Sequence, residues 1–272
     1  MKKKCVPFII GPLFIVATYL IFLSPPEIFI ELTYEDGLVE QVGAFAFLLA
    51  AILFFYGFIR SRIKENAWFR RWSWGYFFLG LLFFFAFGEE ISWGQRIFGW
   101  ATPELLEEVN VQQETNLHNL KWFEPGEGRE GLEKFFTAKW LFAYFGFVYF
   151  VLIPLLYPAS AKIKAICDQF RLPIPPLWIG LLFFSNIILS KGVEKFLLSR
   201  SGLTEYLAFH VKHSTVELME SNWALIVAVL AAAMMINQKK SPIIKKFQVK
   251  PFYLFSTRIT DPFVSLPDEM LE

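Results

Sequence analysis

Six long apolar runs dominate the chain, at roughly residues 6–23, 37–59, 72–91, 138–157, 174–190 and 217–236. Each approaches the roughly 20 residues that carry a helix across about 30 Å of hydrocarbon. The runs are continuously apolar and do not alternate, so they predict transmembrane helices and not barrel strands. The longest polar connection covers residues 92–137. Within it Thr102-Pro103-Glu104 reads as a helix start, and a short helix is predicted over 103–109. Glu124-Pro125-Gly126-Glu127-Gly128 reads as a turn. Trp93, Trp100, Trp122, Phe98 and Phe123 make this loop too apolar for a free linker. It is expected to lie on the membrane surface or to fold back over the bundle. A further helix is predicted to start near Thr204 and run unbroken into the sixth span. The expected fold is all-α: a six-helix transmembrane domain over 1–240 and a cytoplasmic tail over 241–272.

Charge sets the expected orientation. Of 26 Lys and Arg, 17 fall before the first span, between spans two and three, between four and five, and after six; only 6 of the 25 acids do. The positive-inside rule then places both termini in the cytoplasm, in the inner membrane of a bacterium, multi-pass. Lys2, Lys3 and Lys4 precede the first span, and no Ala-x-Ala-like site follows it, so an uncleaved signal anchor is expected. Cys5 and Cys167 both fall on the reduced side, where a disulfide is not expected. With 55% hydrophobic residues and a net charge of +1, the lipid bilayer is the expected partner and nucleic acid is not.

The polar residues then stand out. His118, His210 and His213 all fall on the outer side, with most of the acids. Arg60 lies 20 residues from Glu40, Arg71 lies 18 and 19 from Glu89 and Glu90, and Lys239 lies 19 from Glu220. At ~1.5 Å per residue, these carboxylates share one depth about 27–30 Å from the inner boundary. Ionisable residues at such a depth face the bundle interior and pair with something. On the sixth helix His210, His213, Glu217 and Glu220 form one stripe, and Asp36 and Glu40 share a face at the start of the second. Glu89 and Glu90 diverge by about 100°, so one faces the centre and the other the loop.

Two readings of this constellation compete. In one, His213, His210, Glu220, Glu40 and His118 ligate a divalent metal (zinc, manganese or iron), with Glu90, Glu217 and Ser92 as candidate catalytic groups. Arg96, Trp93 and Gln95 would then hold a lipid head group. In the other, Lys191, Lys195, Arg96 and Lys139 neutralise the acids in an ion-pair network, Ser92 bonds backbone, and Trp93 is an interfacial anchor. Asn116 and Asn119 flank His118 and either orient it or form a polar turn. Ser185 and Asn186 read as helix–helix hydrogen bonders.

Gly88-Glu89-Glu90-Ile91-Ser92-Trp93-Gly94-Gln95-Arg96, with Thr102-Pro103-Glu104, Glu114-Thr115-Asn116-Leu117-His118-Asn119 and Glu35-Asp36-Gly37-Leu38-Val39-Glu40, resembles an uncharacterised family of bacterial polytopic membrane proteins. That resemblance implies that these residues form a unit; it implies no activity. A looser analogy is to alkaline ceramidase-like membrane hydrolases, which hold zinc with histidines, an acid and a serine. This chain departs from their pattern: Ser92-x-x-x leads to Arg96, and the histidine pair is His210-x-x-His213. Three functions follow as expectations: a metal-dependent hydrolase or transferase for a lipid or lipid-linked substrate, a proton- or cation-coupled transporter, and a non-catalytic membrane scaffold or accessory subunit.

Overall fold

Every apolar run forms helix, as backbone polar groups require where water is scarce. The computed structural model describes residues 6–34, 36–63, 73–123, 137–200 and 202–239. Helix α1 (Val6–Thr18) tightens into a 3-10 turn (Tyr19–Leu23) and stops at Ser24 and Pro25. A short α2 (Pro26–Thr33) precedes the long α3 (Leu38–Ile63) and then α4 (Trp74–Glu90). Two one-turn helices follow in the loop, α5 (Gln95–Phe98) and α6 (Glu104–Glu107). Then come α7 (Ala138–Phe147), a π-type turn (Val148–Leu152), α8 (Ile153–Ala159) and α9 (Ala161–Phe170). The last two helices are α10 (Leu177–Leu198) and α11 (Glu205–Lys239).

Four helical stretches are long and apolar enough to cross a membrane: Pro26–Ser61, Trp140–Ala159, Leu177–Leu198 and Glu205–Ile236. Helix α4 has 17 residues, and Gly11–Leu23 is a shorter apolar helix. The chain divides at Lys239. Residues 240–272, Lys2–Lys4, Cys5, Arg70, Arg71 and the turn at 124–128 lie outside the described residues, as do the side chains of Arg96 and Lys139.

Helix α3 packs most extensively on α4 and α11. Helices α3 and α11 both bring small residues to the shared core, Ala46, Ala50 and Ala51 from the first and Ala224, Ala228 and Ala231 from the second. A Cβ on Gly43 would lie 3.2 Å from the Ser221 Cα, so glycine here lets the two backbones approach near their Glu40 and Glu220 ends. Between α4, α7, α10 and α11 the core is aromatic: Phe183 stacks on Trp223 at 4.8 Å, and Phe142 and Phe150 close around the pair.

A polar seam crosses the helices. Tyr19 Oη donates to Asn186 Oδ1 at 3.0 Å, Asn186 Nδ2 donates to the Met219 carbonyl, and Asn222 Nδ2 donates to Thr18 Oγ1. Ser190 donates to the Thr215 carbonyl, and Thr33 to Ser214. Asn186 thus bonds between helices as its position predicts, whereas Ser185 is exposed.

Three local details differ from expectation. The loop helix covers only Glu104–Glu107, because Thr102 does not cap it: its hydroxyl accepts from Gln95 Nε2 and donates to the Gln113 carbonyl. Helix α10 continues past the apolar run to Leu198. Asp36 is not on the α3 face with Glu40; it precedes the helix at φ 63°, and its backbone N–H donates to Glu40 Oε2 at 2.7 Å. The helix predicted near Thr204 does run unbroken, as α11.

Candidate functional site

Helix α4 ends in a tight turn at residues of an unusual kind for it. Ser92 and Trp93 both take left-handed backbone, at φ 45° and 55°, ahead of Gly94 at 87°. Left-handed backbone costs a side-chain-bearing residue about 1–3 kcal/mol, so the surroundings must hold it. They do. The Trp93 indole N–H donates to Glu89 Oε1 at 2.8 Å. Its ring covers Gly88, where a Cβ would come within 2.8 Å of the indole. Ser92 Oγ donates to Glu114 Oε2 at 2.6 Å and accepts from Asn116 Nδ2 at 3.0 Å.

The loop closes over this turn. Asn110 and Leu120 pair across residues 109–121, and the Asn110 amide bonds the Asn116 carbonyl. Gln95 Oε1 accepts the Thr115 N–H at 2.6 Å. Glu89 Oε2 accepts the backbone N–H of Leu117 at 2.6 Å and of His118 at 2.8 Å, with His118 Nδ1 at 3.4 Å. Glu89, at 6% exposure, therefore receives three N–H groups and lies beside a fourth. The segment 88–95 and the segment 114–118 are each other's binding partners.

Glu90 faces the other way, with Glu40, Glu89, Glu220 and His118 all within electrostatic reach. Carboxylates from α3, α4 and α11 thus lie within electrostatic reach of one another around Glu90, as does the loop imidazole. Burial opposes charging of His118. The Glu89 hydrogen bond and the carboxylates of Glu90, Glu89 and Glu220 outweigh it and raise its pKa above the ordinary histidine value.

No family model, no curated protein and no solved structure matches this chain.

Not every predicted residue joins the cluster. His210 is 7% exposed, and its ring packs against Tyr34, Tyr206 and Phe209. It shares a face with Glu220, but ten residues of helix separate them by about 15 Å. His213 Nδ1 lies 3.9 Å from Glu217 Oε1, and its ring is parallel to Phe209. Lys191 pairs with Glu194 on its own helix. Among the described residues no three His, Cys, Asp or Glu side chains are grouped to hold a metal ion. The described donors therefore do not fit a protein-held metal: Glu89 is occupied by N–H groups, and the histidines are spread along α11 and the loop. Trp93, Gln95 and Ser92, expected near substrate or chemistry, hold the loop. Sequence reasoning missed Glu114 as the Ser92 partner. The signal was present in the Glu114–Asn119 motif, but nothing local said which residue it met.

Proposed function

We propose that the chain is a six-span protein of a bacterial inner membrane with both termini in the cytoplasm. In this reading the Glu40–Glu90–Glu220–His118 cluster faces outward as the acid–base site of a hydrolase or transferase for a lipid or lipid-linked substrate. The observation that carries it is that carboxylates from α3 and α11, and an imidazole that Glu89 holds, lie within electrostatic reach of Glu90. Glu90 is the general base. His118, held by Glu89 and favoured in its protonated form, is the acid or stabilises developing negative charge. Arg96 binds the head-group phosphate. Ser92 positions the loop: its hydroxyl donates to Glu114 and accepts from Asn116. The resemblance to bacterial polytopic proteins and the Lys and Arg distribution support the membrane assignment.

The test uses protein reconstituted in vesicles of bacterial lipid, with untargeted mass spectrometry of the lipids after incubation. Wild type converts at least one lipid class, and Glu90→Gln lowers the rate about 100-fold or more, as loss of a general base does. A wild type that leaves every lipid unchanged sinks the enzyme reading. It would favour the scaffold alternative, which the structural employment of Glu89, Ser92, Trp93 and Gln95 also fits.

A further inference from the structure

The polar seam between α1, α10 and α11 holds one atom that its own bonds do not explain. Tyr19, Asn186, Ser190 and Asn222 are each more than nine-tenths buried. They meet where α1 gives way to its 3-10 turn. Ser190 and Asn222 both come within hydrogen-bond reach of the Tyr19 phenol. Among the described residues nothing donates to Asn222 Oδ1, and solvent does not reach it.

The hydrogens around this oxygen are already committed. Tyr19 Oη donates to Asn186 Oδ1, Thr18 Oγ1 to the Ile15 carbonyl, and Ser190 Oγ to the Thr215 carbonyl. Asn186 Nδ2 donates to the Met219 carbonyl at 2.8 Å, which fixes the orientation of that amide. Asn222 Nδ2 donates to Thr18 Oγ1 at 2.9 Å and to Asn186 Oδ1 at 3.2 Å. Turning the Asn222 amide over would set its oxygen against Asn186 Oδ1, also an acceptor, so the unpaired atom is an oxygen.

A polar atom buried that far ordinarily has a partner. A buried water typically makes about three hydrogen bonds. Here its own oxygen would face hydroxyls whose hydrogens are committed. Oxygens in surplus over hydrogens suit a cation better. Hard cations take neutral carbonyl oxygens, those of asparagine included. Interrupted membrane helices place such oxygens around sodium.

We propose that the seam binds one dehydrated sodium ion, with Asn222 Oδ1 as the principal ligand and the lone pairs of Tyr19 Oη and Ser190 Oγ beside it. The ion joins the end of α1 to α10 and α11. The site goes beyond the reading above and requires no chemistry at Glu90. Asn222 follows Glu220 by two residues, about 200° around the helix, so the two side chains leave α11 on different faces.

The test uses full-length protein in detergent, with N-methylglucamine in place of sodium, and scintillation-proximity binding of radiolabelled sodium. Wild type binds the label saturably; excess unlabelled sodium displaces it and N-methylglucamine does not. The unfolding temperature rises with sodium at constant ionic strength, as linkage requires. Asn222→Ala weakens binding about tenfold or more. That variant also loses two hydrogen bonds, so Ser190→Ala, which keeps the Asn222 amide, gives a second reading and weakens binding less. Glu90→Gln, which lowers turnover on the reading above, binds sodium as wild type does, so the two proposals fail separately. No saturable binding by wild type leaves Asn222 Oδ1 to a water and overturns the site. Binding that Glu90→Gln abolishes, or that both seam variants keep at full strength, overturns it too, because the ion then sits among the carboxylates.

Discussion

Glu89 and Glu90 are neighbours in the chain and belong to different regions. On the loop side, Glu89 is filled with donors: an indole N–H and two backbone N–H groups, with an imidazole nitrogen nearby. On the bundle side, Glu90 meets other carboxylates. A carboxylate held by an indole and two backbone N–H groups is a joint. A carboxylate with other carboxylates and a histidine within electrostatic reach is a candidate for proton transfer. The same side chain thus serves architecture on one face of α4 and candidate chemistry on the next.

The largest expected effect tests this contrast directly. Glu89→Ala strips the acceptor from three part-buried N–H groups, so it costs about 2–4 kcal/mol of stability. Thermal unfolding in detergent reads the loss, and hydrogen exchange over 114–119 places it in the loop. Glu90→Gln replaces a carboxyl surrounded by other carboxylates with a neutral amide of the same size and leaves stability unchanged or slightly higher. If the two substitutions destabilise equally, the division of labour is wrong.

Next in size is the support beneath Trp93. Gly88→Ala places a methyl within 2.8 Å of the indole, forcing the ring off Glu89 at a cost of about 1–3 kcal/mol. Tryptophan fluorescence shifts with it; an unchanged spectrum and melting point would show that the turn stands without this contact. Ser92→Ala removes a bonded hydroxyl and leaves Glu114 and Asn116 without it, for about 1–2 kcal/mol. It leaves Glu90 in place, so turnover falls only as far as the loop loosens. A loss of turnover as deep as that of Glu90→Gln, with stability intact, would return Ser92 to the nucleophile role.

These residues also show what the sequence made legible. Counting at constant helical rise expects Glu40, Glu90 and Glu220 at one level, and Glu40 and Glu220 do lie within electrostatic reach of Glu90. The opposite facings of Glu89 and Glu90 followed from the 100° turn, though not which residue took which side. That choice was made by the Ser92–Trp93 turn. No local preference predicts left-handed backbone at a serine followed by a tryptophan, and it persists here only because Glu89, Gly88, Glu114 and Asn116 converge on it. The stripe on α11 was legible as a direction but not as a site. Its members share a face, yet the helix axis carries His210 away from Glu220 and into the company of Tyr34 and Tyr206. Direction is a local property of a helix; depth relative to a partner belongs to the assembled bundle.

The smallest expected effect is a pH dependence at the boundary between the two regions. His118 titrates there, facing Glu89 on one side and Glu90 and Glu220 on the other. Its folded pKa is raised, so its charged form is bound more tightly in the folded chain than in the unfolded one. The resulting stability is fully present below the unfolded histidine value of about 6.5, and it is lost as pH rises through the higher folded value. The imidazole is 36% exposed, so solvent screens the pair and the change is small. Unfolding followed across this window shows wild type losing more stability as pH rises than His118→Asn does, because asparagine does not titrate. The Leu117 and His118 backbone donors still reach Glu89 in that variant, so the loop stays closed. A wild-type profile that falls no more steeply than that of His118→Asn would mean that Glu89 holds the backbone alone and that the imidazole belongs to neither region.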